Sequence, residues 1–391
     1  MSYMRIDADR AKGMLWGLVV GDCLGSPVQF MEKDDHPWIT EMVSCQYYKT
    51  PAGSWTDDSS MAFCIMESYE RLGRYDLADI ANNFVRWYQK GFWSSIRGRS
   101  FDVGQATRNA CDNIDYRGSL VNGREDSLGN GSIMRLAPAW LLASREVSPQ
   151  KALHEINDLT HNSGKVRKVA DDMAAILAEH MAGRRTREVS AFGSRDDVIN
   201  IGLASTTLEA ALWAFNTTET FEDGMVAAVN LGGDADTIGA VYGQIAGAYY
   251  GYRTIPKRWL AAIRSRRRVA SLINRFIAAI DPKTPPCRFF KGESECPYDK
   301  TTDYSRFVFW TEEAIVTNGG KSMNYANELH GMIAESIAKR YPLSSVPSAQ
   351  RRLFAACRLH YMKSVEMHSL EDAPAVDWTS YFNLKNERLK S

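Results

Sequence analysis

The stretch Asn230-Leu231-Gly232-Gly233-Asp234-Ala235-Asp236-Thr237-Ile238-Gly239 sets two carboxylates and a hydroxyl just ahead of a run of small residues. That run decides the fold. Gly239, Gly243 and Gly247 recur every four residues, interleaved with Ala240, Ala246 and Ala248. Glycine is less favourable than alanine by about 1 kcal/mol at a helix position, so such a repeat needs a packing reason. A glycine stripe lets a second backbone approach closely. The chain supplies a matching stripe near its start, at Gly13, Gly17, Gly21 and Gly25. Two glycine-striped helices are therefore expected at the centre of a bundle. For Gly21 and Gly25 a second reading stays open, a loop after a helix ending near Val20.

Outward from these stripes the pattern is helical. Residues 65–84 and 166–182 carry apolar side chains at spacings of three and four. Alternation suited to a strand is scarce, and residues 36–48 are its best short candidate. The expected class is all-α. A composition shift falls near Asp281, where Pro282, Pro285, Pro286, Gly292 and Pro297 mark an irregular connector. Two amphipathic helix patterns follow. Residues 324–341 present Leu329, Ile333 and Ile337; residues 348–368 present Phe354, Cys357, Tyr361 and Val365. Pro342 and Pro347 separate them. The expected organisation is a main domain over 1–281 and a Pro-rich connector with a helical C-terminal extension over 282–391.

Composition removes several classes of function. The 391 residues are 45% hydrophobic and 24% charged, with 47 Lys+Arg against 47 Asp+Glu. A net charge of zero argues against general nucleic-acid binding, which rests on excess basic side chains near phosphates. The run Arg264, Arg266, Arg267 and Arg268 reads as a solvated helix face. Seven dispersed cysteines with no CxxC pair indicate neither a disulfide framework nor a zinc site. The early apolar stretch 13–20 is too short to span a bilayer. The first twelve residues, with Asp7, Asp9 and several arginines, do not resemble a signal peptide. A soluble cytoplasmic protein with no membrane partner is expected.

Four segments carry chemistry. In Ser54-Trp55-Thr56-Asp57-Asp58-Ser59-Ser60, polar residues precede the apolar Met61-Ala62-Phe63. Such residues cap helices and suit the positive end of the helix dipole. Two adjacent aspartates cannot both cap one helix, so one carboxylate is left for another task. The second segment, Asp234-Ala235-Asp236-Thr237, offers an all-oxygen set after two glycines that permit a tight turn. Hard cations such as Mg²⁺ prefer oxygen ligands. Together the two clusters supply four carboxylates and two hydroxyls, enough to share two metal ions about 3.5–4 Å apart. The third segment, Ser127-Leu128-Gly129-Asn130-Gly131-Ser132-Ile133-Met134-Arg135, is either a tight turn or a backbone cradle for a pyrophosphate. The fourth is Thr160-His161-Asn162, where a lone histidine reads as a satisfied core residue or as a ligand contact.

Taken in order, these segments resemble the ADP-ribosylglycohydrolase family from about residue 13 to 259. The likeness includes Gly21-Asp22-Cys23-Leu24-Gly25-Ser26-Pro27, Phe101-Asp102-Val103-Gly104-Gln105-Ala106-Thr107 and Ile255-Pro256-Lys257-Arg258-Trp259. The resemblance implies an all-α multi-helix fold with two Mg²⁺ ions, or Mn²⁺ in their place. It implies Thr56, Asp57, Asp58, Asp234, Asp236 and Thr237 as metal ligands, with Asp57, Asp58 and Asp236 serving catalysis. Ser127, Gly129, Asn130, Gly131, Ser132 and His161 would line the ADP-ribose site. The implied reaction releases ADP-ribose from a modified protein side chain, most commonly arginine, by hydrolysis at the anomeric carbon of the distal ribose. Reversal of an ADP-ribosylating toxin's modification would fit such an activity. One position departs from the family pattern: Pro27-Val28-Gln29-Phe30 has glutamine where a glutamate is usual. Glutamine cannot shuttle a proton at neutral pH, so Asp102 is nominated in its place. The alternative is a chain that keeps the fold and binds ADP-ribose or a partner, immunity-like, with weakened chemistry.

Overall fold

Every regular element in the described residues is helical. The computed structural model describes residues 6–186 and 190–280. In chain order the helices are α1 (Ala8–Gly25), α2 (Asp57–Leu72), α3 (Leu77–Lys90), α4 (Gln105–Arg117), α5 (Leu136–Ala143) and α6 (Pro149–Asp158). They continue with α7 (Gly164–Met181), α8 (Ala204–Thr217), α9 (Phe221–Val229), α10 (Ala235–Tyr250), α11 (Lys257–Ala262) and α12 (Arg266–Ile280). The only β pairing among these residues is two isolated bridges, Cys45 with Thr50 and Gly129 with Leu203.

The glycine stripes do meet. Gly13 faces Gly247, Gly17 faces Gly243, Gly21 faces Gly239 and Gly25 faces Ala235, so α1 and α10 run antiparallel with their backbones in contact. A β-carbon on Gly17 would collide with the Gly243 carbonyl, and one on Gly243 with the Gly17 carbonyl. Gly21 and Gly25 lie inside α1, so the helix does not end near Val20. Both helices are buried on all sides, α1 from Gly13 onward and α10 from Ala235 to Ala248, as expected of a helix at a core's centre. Helices α7, α8 and α9 pack around α10, and α5 and α12 pack on α1. Gln244 ties this core together, accepting from the Ala137 amide at 2.6 Å and donating to the Met134 carbonyl at 2.7 Å. Arg10 donates to the carbonyls of His180 and Ala248, both at 3.1 Å, satisfying groups left over at the ends of α7 and α10.

Two local expectations change. Residues 36–48 form no strand. The Ile39 N–H and C=O are instead taken by the side-chain amide of Asn230, at 2.7 and 2.8 Å. A side chain nearly two hundred residues away thus replaces a neighbouring strand. The periodic segment 65–84 is two helices, broken at Gly73 (φ 64°) and restarted by Asp76, whose carboxylate accepts from the Asp79 amide. The Arg264–Arg268 run is exposed, with Arg268 stacked 3.9 Å over Trp93. Cys23, Cys45, Cys64 and Cys111 are buried free thiols. No described helix is long and apolar enough to cross a membrane. The connector and the two helices expected over 282–391 lie outside the described residues.

Candidate active site

The site is organised by a residue whose role is not visible in its sequence neighbourhood. Asp22, fully buried in the last turn of α1, reaches across to the start of α2. Its Oδ1 accepts from the Thr56 amide (2.8 Å) and the Thr56 hydroxyl (2.9 Å). Its Oδ2 accepts from the Ser59 amide (2.9 Å) and the Ser59 hydroxyl (2.6 Å). Helix N-termini carry unpaired amides that a capping oxygen must satisfy. Here that oxygen comes from another helix, and the Asp57 and Asp58 carboxylates are released from the task. Burial pushes the Asp22 carboxyl up to about 6, while the bonds from Ser59 and Thr56 act against that rise.

One carboxylate oxygen from each of Asp22, Asp58 and Asp236 lies within 4.8 Å of the others. Burial, and then neighbouring carboxylates, hold Asp57, Asp58 and Asp236 well above the usual carboxylate range. The strongest neighbouring charge is Asp102 for Asp57 and Asp236, and Asp22 for Asp58. So many buried acids require compensating positive charge. Arg135 is buried behind them, its own pKa lowered to about 10 by burial, with Asp57 and Asp58 opposing. It bonds Thr160 and the Gly131 carbonyl rather than a carboxylate.

Whether a hard cation fits can be judged from the oxygens themselves. Asp58 Oδ1, Asp236 Oδ2, Asp102 Oδ2 and Gln29 Oε1 are buried and accept no hydrogen bond. Four orphaned acceptors on neighbouring residues suit a divalent ion with oxygen ligands. Asp22 is different: each of its oxygens already accepts two hydrogen bonds, which fits a residue that positions the Thr56–Ser59 turn. Thr56 gives its hydroxyl proton toward Asp22 or Asp58, at 2.9 and 3.1 Å, and keeps a lone pair available.

Asp102 joins the cluster from the loop before α4. Its backbone is left-handed (φ 57°), a conformation that aspartate tolerates better than most residues. Tyr48 donates to its Oδ1 at 2.5 Å. Burial raises the Asp102 pKa; the hydrogen bond from Tyr48 opposes the rise, and the Gln29 and Asp236 side chains act in the same direction as Tyr48. The Gln29 side chain therefore favours the charged form of this carboxylate. At the other helix start, Asp234 precedes α10 and accepts from Asn130 Nδ2 at 2.6 Å, while the Thr237 amide donates to Asp236 Oδ1 at 3.0 Å.

Asn130 links the acids to the glycine turn. Gly129 and Gly131 face the ring of His161, and a β-carbon on Gly131 would lie 2.7 Å from His161 Cε1. The Asn130 amide is spent on the Gly202 carbonyl at 3.2 Å, so this turn does not leave every N–H free for a phosphate. Ser132 Oγ is buried without a partner, and half-buried Ser127 gives its amide to the Arg124 carbonyl. Thr160 links Arg135 to His161. Arg135 can only donate, and it donates to Thr160 Oγ1 at 2.6 Å. The Thr160 hydroxyl lies 2.7 Å from His161 Nδ1, and a relay forms when its proton is given to Nδ1. That leaves Nε2 protonated, a donor facing the Gly129–Gly131 turn.

Burial, then the charge of Arg135, lowers the His161 pKa to about 3; burial lowers that of His180 to about 4. An unfolded chain protonates histidine near pH 6.5. Between these limits the unfolded state binds more protons, so this stability is present above about pH 6.5 and is lost as pH falls through the folded values. Imidazole NMR spectra are expected to show both rings neutral from about pH 8 to about pH 5, with His161 protonated on Nε2. Thr160→Val should change the His161 tautomer populations and weaken ADP-ribose binding by about tenfold, the worth of one such hydrogen bond. Unchanged ring nitrogen shifts in that variant would count against this relay.

The sequence model of the ADP-ribosylglycohydrolase family matches residues 4–286. The chain belongs to the ADP-ribosylglycohydrolase family. The ADP-ribosylarginine hydrolase Tri1 of Pseudomonas putida (strain GB-1) is 35% identical over 288 residues, 68% of this chain and 76% of that protein. Tri1 of Serratia proteamaculans (strain 568) is 33% identical over 68% of this chain and 78% of its own length. The ADP-ribosyl-[dinitrogen reductase] glycohydrolase of Rhodospirillum rubrum is 29% identical over 65% and 90%. A solved ADP-ribosylglycohydrolase-related protein complex superposes with a TM-score of 0.61 at 34% identity, covering 70% of this chain and 98% of that one. The all-α architecture is that of the family, and the chain is a glycosidic-bond hydrolase.

In this ADP-ribosylglycohydrolase, the residues expected at the site are brought together. Thr56, Asp57 and Asp58 open α2, while Asp234, Asp236 and Thr237 open α10. The Asp102 charge raises the pKa of both Asp57 and Asp236. Asn130 and His161 flank Asp234 through the glycine turn. Sequence reasoning passes over Asp22 and Tyr48. Asp22 follows Gly21 on the glycine stripe, directly after the apolar run, and an acid in that place reads as a helix end. Tyr48 sits in a turn whose link to Asp102 is spatial.

Proposed function

We propose that this chain removes ADP-ribose from an arginine side chain of a modified protein, using two divalent ions, Mg²⁺ or Mn²⁺. The observation that carries the reading is the pair of orphaned buried carboxylate oxygens on Asp58, at the start of α2, and Asp236, at the start of α10, two residues close enough to share an ion. The arginine acceptor is taken from the names of the relatives above 30% identity. Thr56, Asp57, Asp58, Asp234, Asp236 and Thr237 would hold the ions. Bound divalent ions supply Lewis-acid polarisation of sugar hydroxyls and of water.

The chain's own residues account for the rest. The Gly129–Gly131 turn and the Nε2–H of His161 would orient the nucleotide, with Ser127 and Ser132 beside them. Asp102 would take the proton of the attacking water. Its Oδ1 is held by Tyr48 and its Oδ2 has no partner, so one oxygen fixes the group and the other is free to act. The surrounding carboxylates would stabilise positive charge developing at the anomeric carbon. The test is release of ADP-ribose from an arginine-ADP-ribosylated protein with added Mg²⁺. Binding of ADP-ribose without any release would favour the binding-only reading instead.

Gln29 fits the active reading as an adapted residue. Its neutral side chain favours the charged form of Asp102, whereas a glutamate would place a further negative charge beside it. Gln29→Glu is expected to lower turnover at neutral pH by about tenfold or more, because a like charge beside Asp102 that shifts its pKa by about one unit costs that much. A large gain in turnover would show the native chain to be weakened at this position.

A further inference from the structure

A row of aromatic rings runs from the acid cluster to the surface. Tyr48, bonded to Asp102, lies 5.3 Å from Phe101 and 4.8 Å from Tyr47 between ring centroids, and Tyr47 lies 5.0 Å from Phe30. Phe30 and Tyr47 are 56% and 68% exposed. Phe30 is nonetheless held in place. Its amide donates to the Gly233 carbonyl, and the Gly233 amide donates to the Met31 carbonyl, both at 2.6 Å. Two large exposed aromatic side chains, at the end of a row that begins at the acid cluster, call for an occupant.

The chemistry of the surroundings selects a cation. Aromatic faces attract guanidinium groups, which stack on them. The row already accepts one: the Arg99 guanidinium stands 5.7 Å from the Phe101 centroid. The adjoining carboxylates add negative potential. The two flanks of the site are also tethered through different acids. The glycine turn and His161 attach through Asn130 to Asp234, and the aromatic row attaches through Tyr48 to Asp102. A substrate cleaved at an anomeric carbon has a nucleotide on one side and its acceptor on the other.

We propose that the exposed rings of Phe30 and Tyr47 form the subsite for the acceptor side chain, binding the guanidinium of the modified arginine. This rests on the arginine reading of the proposed function. The test compares an arginine-ADP-ribosylated peptide with free ADP-ribose on the full chain, in wild type, Tyr47→Ala and Tyr47→Phe. Tyr47→Ala is expected to raise KM for the peptide by about three- to tenfold, the worth of one cation–π contact, with ADP-ribose affinity unchanged. Tyr47→Phe keeps the ring and is expected to restore wild-type KM. Equal weakening of ADP-ribose would place the nucleotide on these rings and overturn the proposal, as would no change in KM. If the wild type releases no ADP-ribose, the proposed function fails, and calorimetry decides the subsite separately. A peptide bound more tightly than ADP-ribose, by a margin lost in Tyr47→Ala, supports it; the absence of that margin overturns it.

Discussion

Asp236→Ala is expected to lower turnover by well over a hundredfold and to reduce the metal bound per chain, while the metal-free protein melts at a higher temperature than wild type. The two halves of this result have one cause. Changing a residue that merely supports a metal ligand already costs about 10–100-fold, and Asp236 would be a ligand whose Oδ2 has no other partner. Without metal, the same carboxylate is a liability. It is fully buried, and its neighbours Asp102, Asp58, Asp234 and Asp22 all press its pKa upward after burial itself. Removing one of several crowded acids relieves repulsion that only a cation would otherwise offset. Metal analysis of the purified variant and melts with and without chelator measure both halves. Wild-type metal stoichiometry in the variant would refute the ligand assignment.

Gly17→Ala is expected to be more damaging to the fold than an ordinary overpacking change in the core. Overpacking usually costs about 1–3 kcal/mol because side chains can yield. Here the obstacle is the Gly243 backbone carbonyl, part of a helix that is itself buried on all sides. The helices must separate or the chain must not fold, so a loss above about 3 kcal/mol and a melting temperature lowered by roughly 10 °C are expected. Turnover should fall further than stability alone explains. Asp22 rides on α1 and Asp236 on α10, so any widening of the seam pulls the acids apart. Gly164→Ala is the control: nothing lies within 4 Å of its missing β-carbon, and the change should be neutral or stabilising by up to about 1 kcal/mol. Equal melting temperatures for Gly17→Ala and wild type would contradict the seam's role.

These two residues also show what a sequence can and cannot disclose. A four-residue glycine repeat has few explanations other than a close helix crossing, so the partnership of α1 and α10 is legible in the repeat itself. The paired Thr/Asp clusters are legible for a similar reason, since surplus carboxylates at helix starts ask for a second role. Asp22 is not legible. An aspartate after an apolar run looks like the end of a helix, and only the fold shows it capping a helix that begins more than thirty residues later. The expected strand over 36–48 fails because alternation describes one chain segment and says nothing about its partner. Asn230 provides that partner as a side chain, which no periodicity can display. Tyr48 escapes notice for the same reason, its tie to Asp102 being a contact between two loops.

The crossing of α1 with α10 has a temporal consequence. Neither half of the acid cluster can be completed by its sequence neighbours, because the first half is made early and the second must await α10. At synthesis rates of about 5–20 residues per second, the N-terminal helix spends on the order of ten seconds without its mate. During that interval its bare glycine groove has nothing to close against, and long-range pairing of this kind is slow by nature. Loading of a metal at these acids would then be a late event, available only to a chain whose distant segments have already found each other. An incomplete or misassembled chain would carry no reactive centre at all.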